Sequence, residues 1–361
     1  MFNTKIYQAL SGTVSCNAAR LKCFCLIVNA IIRHRTVNLT ILATTADGKS
    51  CLTQSRYRRF QDFFLKFSLC LTTVSKVILA RIPKPAGGYI LAMDRTNWQF
   101  GRRHINFLVI AIVVGKVSIP IAWTILPKKT KSGNSNAYQR KQLTKKLLAV
   151  LPATEITVLT MDREFIGKQW LEWLNEQDVA YIVRIKKNVW VGKNQAGKLA
   201  RRPGPQRKER LVIFGLELFF ASKSMKGKGR DESLMVISNC FSGKEALKIY
   251  RQRWGIERLF GHLKRNGFDL EATHMTDARK LERLFALTVL AFLFSFAWGC
   301  RLRENSEKMT AAAKRKSIFR LGLEDILTLL AQNPKDPSIE FHQNEFWQWL
   351  QSETFESIFL V

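Results

Sequence analysis

The chain has 361 residues, enough for one large domain or two to three smaller ones with a real core. Lysine and arginine number 58 against 28 aspartates and glutamates, a formal balance of +30, so a neutral or acidic substrate leaves the surplus unexplained and a polyanion accounts for it. The seven cysteines are scattered, with no Cys-x-x-Cys pair and none beside a histidine at zinc spacing, which argues against zinc and for free thiols in a reducing cytoplasm.

Residues 1–82 read as mostly helical, and Asn17 to Ile32 and Arg56 to Leu71 show mixed apolar and basic faces. Between Met1 and Phe60 nine basic residues face one acid, Asp47. The run Arg56-Tyr57-Arg58-Arg59 beside Phe60, Phe63 and Phe64 suits a DNA-facing surface held by aromatics, and suits ordinary amphipathic packing equally. The apolar run Cys23 to Ile32 contains Asn29 and starts too late for a signal peptide. Pro83 to Gly88 marks a boundary.

Residues 83–185 alternate strands and helices. Tyr89 to Asp94 follows the turn-forming Gly87-Gly88 and reads as a short buried strand that stops at an acid. Ile105 to Val114 and Val117 to Ile125, joined at Gly115-Lys116, complete a three-stranded antiparallel meander. A basic loop from Lys128 to Asn136 leads into an amphipathic helix over Ala137 to Leu151. Ile156 to Asp162 is a second strand closing on an acid, followed by a helix from Ile166 to Asn175 and a strand from Val179 to Ile185. Either acid alone reads equally as a turn or helix-cap aspartate.

Residues 186–239 form a basic, β-rich segment. Between Lys186 and Arg230 thirteen basic residues face only Glu209 and Glu217. Asn188 to Val191, Arg210 to Phe220 and Leu234 to Ser238 read as β, with Gly204, Gly227 and Gly229 in loops. Trp190, flanked by Lys186, Lys187 and Lys193, suits base stacking or a place in a small strand core.

Within residues 240–300, Tyr250, Arg253, Glu257 and Lys264 fall on one face of a single helix, since each helical residue turns about 100°. That stripe offers a phenol, a guanidinium, a carboxylate and an ammonium. The carboxylate suits a hard cation such as Mg²⁺ and the two cations suit phosphate; a solvated face with an internal ion pair has the same pattern. His262 lies on this helix, with a structural or surface role. Leu284 to Cys300 is nearly all apolar but short of the roughly 20 residues of a membrane span, so a helix buried against the sheet is expected and no membrane contact. Residues 301–361 read as helical. There Phe319, Leu321, Leu323, Ile326 and Leu330 have the spacing of a dimer contact or of ordinary core.

The sequences Asp94-Arg95-Thr96-Asn97-Trp98 and Asp162-Arg163-Glu164-Phe165, with the Tyr-x2-Arg-x3-Glu-x6-Lys spacing from Tyr250 to Lys264, resemble the DDE transposases of bacterial insertion sequences. Among these the chain is most similar to the insertion-sequence-four family, which bears the YREK signature. The likeness runs from about Gly88 to the helix after Lys264, and more loosely through Lys316 to Gly322. It implies an α/β, RNase H-like mixed-sheet core interrupted by a β-rich insertion, with helical N- and C-terminal regions. It implies Asp94, Asp162 and Glu257 as catalytic ligands of two Mg²⁺ ions, Mn²⁺ being able to substitute. Tyr250, Arg253 and Lys264 would then hold DNA phosphates, and the basic insertion would grip the DNA end; no family motif fixes a stacking residue there, so Trp190, Lys186 and Lys187 stand as DNA-binding candidates on their own residue chemistry. The partners implied are double-stranded DNA (terminal inverted repeats and target) and a second copy of the chain, in a cytoplasmic, nucleoid-associated setting. Two rivals share the charge: an RNase H-like structure-specific endonuclease, which would cut without regard to repeated ends, and a non-catalytic basic DNA-binding protein.

Overall fold

The computed structural model describes residues 2–11, 17–45, 52–67, 69–127, 134–201, 209–225, 232–304, 309–331, 337–352 and 354–359. They gather into two compact units, one of Lys84–Asn97 and Asn106–Arg258, the other of Met1–Pro83, Trp98–Ile105 and Leu259–Val361. In chain order come helices α1 (Phe2–Ser11), α2 (Ala18–His34), α3 (Leu39–Leu42), α4 (Thr53–Lys66) and α5 (Leu71–Arg81). Strands β1 (Tyr89–Phe100), β2 (Arg103–Val114) and β3 (Val117–Ile125) precede α6 (Ala137–Leu148), β4 (Ile156–Met161), α7 (Lys168–Glu176) and β5 (Tyr181–Arg184). Then follow β6 (Trp190–Val191), β7 (Asn194–Gln195), α8 (Ala196–Arg201), β8 (Arg210–Ile213), β9 (Leu216–Met225) and β10 (Glu232–Ser238). The chain closes with α9 (Gly243–Arg251), α10 (Gly255–Leu263), α11 (Ala278–Glu304), α12 (Ala311–Arg315), α13 (Ile318–Ala331) and α14 (Pro337–Gln351).

The first unit is built on an eight-stranded mixed sheet in the order β3-β2-β1-β4-β5-β10-β9-β8. β1, β4 and β5 run parallel, while β2–β3 and β5–β10–β9–β8 pair antiparallel. β2 is buried from Ile105 to Val114, and its near-continuous apolar run is what a strand covered on both faces requires. Pro120 lies on the edge strand β3, next to a register shift, where a missing N–H interrupts no regular ladder. Gly88 enters β1 at φ 83°, and a Cβ there would come within 2.7 Å of the Glu155 carbonyl oxygen. Glycine therefore lets the two parallel strands start side by side.

Several expectations need correction here. β1 does not stop at Asp94 but continues to Phe100; what ends at Met93 is its pairing with β4. The stretch Arg210 to Phe220 is a hairpin, turned at Phe214 and Gly215, whose φ values of 55° and 77° reverse the chain. Its strands and β10 extend the main sheet beyond β5. The loop residues 128–133 and Gly204, Gly227 and Gly229 lie outside the described residues. In the other unit, the helix expected from Arg56 to Leu71 breaks after Lys66, because Phe67 takes an extended backbone at ψ 116°.

The helical unit centres on α11, 27 residues long. By length and composition α11 could cross a membrane, yet 94% of its most apolar window is buried inside the chain. Helices form its main packing, α13 first and α2 next, in place of the sheet expected to cover it. α11 and α13 touch backbone to backbone: a Cβ on Gly299 would overlap the Ile318 carbonyl, and one on Gly322 the Ser295 carbonyl. Phe319, Leu321, Leu323 and Ile326 are buried. They therefore complete this chain's own core, while Leu330 is half-buried.

α14 docks through a polar clasp. Asp325 Oδ2 accepts from Trp298 Nε1 at 2.7 Å and lies 3.0 Å from His342 Nε2. The hydrogen bond to Asp325 raises the His342 pKa above its ordinary value, against the opposing effect of burial and with help from the charges of Asp325 and Glu345. A histidine whose pKa is raised on folding stabilises fully below its unfolded pKa of about 6.5, and loses that contribution as pH rises through the folded value. His342→Gln is accordingly expected to lower the thermal midpoint near pH 5.5 and to change it little above about pH 8.5. A difference that stayed constant across a pH series of melts would refute the clasp's protonation.

Candidate active site

The site begins with strand register. Met93 pairs with Met161 at the end of the parallel β1–β4 ladder, so Asp94 and Asp162 follow at the same ends of neighbouring strands. Parallel strands lie about 4.8 Å apart, which makes two carboxylates there near neighbours. Asp94 Oδ1 accepts from the Arg95 backbone N–H at 2.7 Å. Asp162 receives the Tyr250 hydroxyl at 3.4 Å and stands 3.9 Å from an Arg184 guanidinium nitrogen.

The third acid arrives from the chain beyond α9. That helix packs across β4, β5, β9 and β10 through Ala246, Leu247 and Tyr250, in one cluster with Val158, Ile182 and Val236. The stripe expected on one long helix is in fact spread over α9, a 3-10 turn from Gln252 to Trp254, and α10. Gly255 opens α10 against β3, where a Cβ would come within 2.9 Å of Val117 backbone atoms and the Ser118 hydroxyl. The close approach needs a residue without a side chain, and it fixes where Arg253 and Glu257 stand.

Arg253 then joins the acids. Its Nη1 donates to Asp94 Oδ2 at 2.6 Å and its Nη2 to Glu257 Oε1 at 2.7 Å. The Arg253 side chain is 9% exposed, Asp94 17% and Glu257 48%, so the Asp94 bond is the sheltered one. The guanidinium also lies 5.7 Å from the centre of the Tyr250 ring. Burial pushes the Asp94 carboxyl up to about 6; Arg253 and the Arg95 N–H oppose the rise, and the charges of Asp162 and Glu164 add to it. Burial alone would depress Arg253, but Tyr250, Asp94, Asp162 and the bond to Glu257 hold its pKa above the ordinary arginine value.

Two residues expected to meet phosphate are engaged within the chain. Tyr250 was expected to meet a phosphate. It is 5% exposed, and its hydroxyl is turned to Asp162, with burial raising the phenol's pKa. Arg253 was expected to clamp phosphate as well, and both arms of its fork are taken by carboxylates. Lys264 falls one residue past α10, in the helical unit, where it pairs with Glu271 at 3.0 Å and sits 5.9 Å from the Trp98 ring centre. Trp190, Lys186 and Lys187 are exposed at the short β6–β7 ribbon, Trp190 by 62%, so the small-core reading of that tryptophan is wrong.

A supporting layer escaped the sequence reading. Arg95 reaches Glu164 through two bonds of 3.2 and 3.1 Å and Asn106 at 3.2 Å. Arg140, buried on α6, donates to the carbonyls of Ser135, Glu164 and Ile166 and lies 5.2 Å from the Phe165 ring centre. It pins the loop that follows Asp162, and burial lowers its pKa to about 10. The signal was faint: a lone arginine in an otherwise Lys-rich helix.

All three acids offer oxygen, the donor a hard divalent cation takes. Among the described residues, no group of three His, Cys, Asp or Glu side chains stands ready-made for a metal ion. Arg253 instead bridges Asp94 and Glu257, so the donor chemistry fits such an ion on condition that the guanidinium gives way. The profile of the family described as "Transposase DDE domain" matches residues 85–294, more than half of the chain and all of this site. No curated protein matches the sequence.

Proposed function

The chain belongs to the transposase DDE-domain family, and from that premise we propose that it cuts DNA at the ends of an insertion sequence and joins the freed ends to target DNA. The observation that carries this reading is the convergence of Asp94 and Asp162 at adjacent parallel strand ends, with Glu257 tied to Asp94 through Arg253. The order β3-β2-β1-β4-β5, with β1, β4 and β5 parallel, supports an RNase H-like core, and the continuation of the sheet through β10, β9 and β8 supports a β-rich insertion.

In this reading Asp94, Asp162 and Glu257 would hold two Mg²⁺ ions once Arg253 gives way. Such ions lower the pKa of an attacking water or 3′-hydroxyl and stabilise the leaving 3′-oxygen. The protein's own part is positional. The Tyr250 hydroxyl and Arg184 orient Asp162, the Arg95 N–H orients Asp94, and Arg140 holds the loop behind Asp162. Arg253 offsets the charge of sheltered Asp94 and half-exposed Glu257. The work is done on paired ends by a homodimer.

The test supplies purified protein with DNA bearing its own flanking inverted repeats, in Mg²⁺ and in chelator. Metal-dependent nicking at the repeat boundary followed by strand joining is expected. Cutting that ignores the boundary would instead establish a structure-specific endonuclease, and binding without cutting a non-catalytic DNA-binding protein.

A further inference from the structure

Arg253 and Lys264, the cations expected to grip DNA near the acids, are engaged in ion pairs, whereas a second group of cations lies in the helical unit with few acids around it. A cavity of about 580 Å³ in the helical unit is lined by Arg35, Arg265, Arg315, Lys316 and Arg320, with His262 in its wall. All five permanent cations are exposed. Acid is scarce around them. Glu324 pairs with Lys316 at 2.5 Å and Arg320 at 2.6 Å, and Glu271 stands 3.9 Å from Arg265 while holding Lys264 more closely. Arg35 and Arg315 form no ion pair with any described residue.

The cavity is built from fixed backbone. Arg35 caps α2 in the left-handed region at φ 54° and donates its N–H to the Ile31 carbonyl. Arg265 sits on a tight turn in which the Phe268 N–H returns to the His262 carbonyl, and a Cβ on Gly267 would overlap that same carbonyl. Arg303 braces the link between α12 and α13 by donating to the Lys314 and Lys316 carbonyls, each at 2.8 Å. Beneath, His262 packs 4.6 Å from the Phe319 ring, and Phe319 packs 5.2 Å from Phe292. Five charges of one sign held close together repel one another, a cost that a polyanion would remove. α13 begins at the wall and adds the positive end of its dipole.

We propose that this cavity is a second DNA-binding site, which takes the phosphodiester backbone of duplex DNA held away from the cut. The proposal rests on the transposase reading, because the open, solvent-facing array suits a continuous strand of phosphates more than one enclosed anion. Phosphate contacts of this kind carry position and little sequence information.

The test measures fluorescence anisotropy of labelled duplex DNA over a salt series. Arg35→Asn/Arg315→Ala is compared with the wild type and with Lys145→Ala/Lys146→Ala, a control that removes equal charge from α6. Asparagine is chosen at position 35 because it tolerates the left-handed backbone. Each lost phosphate contact removes about 0.9 from the slope of log affinity against log salt, so the cavity variant should lose roughly 1.8 and the control markedly less. Melting curves matching the wild type establish that folding is intact, and Arg265→Ala should reproduce about half the loss. Equal slopes for the cavity variant and wild type, or equal losses in cavity variant and control, would overturn the proposal. Saturable binding of inorganic phosphate, lost in the variant while its DNA slope stays wild-type, would overturn it in favour of a small-anion site. Wild-type protein that cuts at repeat ends while the slopes do not differ sinks this proposal alone; wild-type protein that neither binds nor cuts DNA sinks the transposase reading with it.

Discussion

Glu257→Gln is expected to slow strand cleavage roughly a thousandfold or more while DNA affinity stays close to wild type. Stabilisation of charge by a bound divalent ion is worth several kcal/mol, and each 1.36 kcal/mol is a factor of ten in rate. Glutamine keeps the shape of the side chain and an oxygen to accept the 2.7 Å bond from Arg253, so the substitution removes charge and little else. Glu257 is half exposed on the first turn of α10, and folding should hardly register the change. Asp94→Asn should lose as much rate, because it removes a carboxylate charge from the same proposed set of metal ligands. The measurement pairs cleavage rates at saturating DNA with binding isotherms in Mg²⁺. Near wild-type cleavage by Glu257→Gln would remove this acid from the chemistry and leave the site to Asp94 and Asp162.

How much of this site could be read in advance depends on how local the determining physics is. Asp94 and Asp162 stood out because each follows a short run of β-formers, and runs of that kind form buried strands whatever surrounds them. Their meeting was not readable, since it depends on β1 and β4 lying parallel with Met93 opposite Met161, a pairing of residues 68 positions apart in sequence. The Arg253–Glu257 bond was visible as an i, i+4 spacing. The extension of that spacing to Lys264 on the same helical face failed, because the chain tightens at Gln252–Trp254 and α10 ends at Leu263. Composition gave the helical character of both ends of the chain, but not their burial together around α11, which is a tertiary outcome. The burial of Tyr250 was unreadable for the same reason: a phenol on an amphipathic helix can face solvent or core, and only the packing of α9 across the sheet decides.

Arg253→Ala is expected to destabilise the protein by about 3 kcal/mol in the absence of divalent ions, because it leaves a buried Asp94 without its counter-charge. For domains of this size each kcal/mol moves the thermal midpoint by about 2–4 °C, so a fall on the order of 10 °C should be seen in chelator. Most of the loss belongs to the sheltered Asp94 arm, since the half-exposed Glu257 arm is screened by solvent. A double-mutant cycle separates this from lost packing over the Tyr250 ring: adding Asp94→Asn to Arg253→Ala should cost far less than the sum of the single changes. Arg253→Lys keeps the charge but cannot donate to two carboxylates in a planar fork, so it should fall between wild type and alanine. If the guanidinium stands in for a metal among these acids, Mn²⁺ must raise the midpoint of Arg253→Ala more than that of the wild type, where the ion has to displace an arginine first. Equal Mn²⁺ shifts in the two proteins would mean that the bridge and the ion do not compete for the same carboxylates, and the acids would then need a geometry for metal other than the one Arg253 now holds.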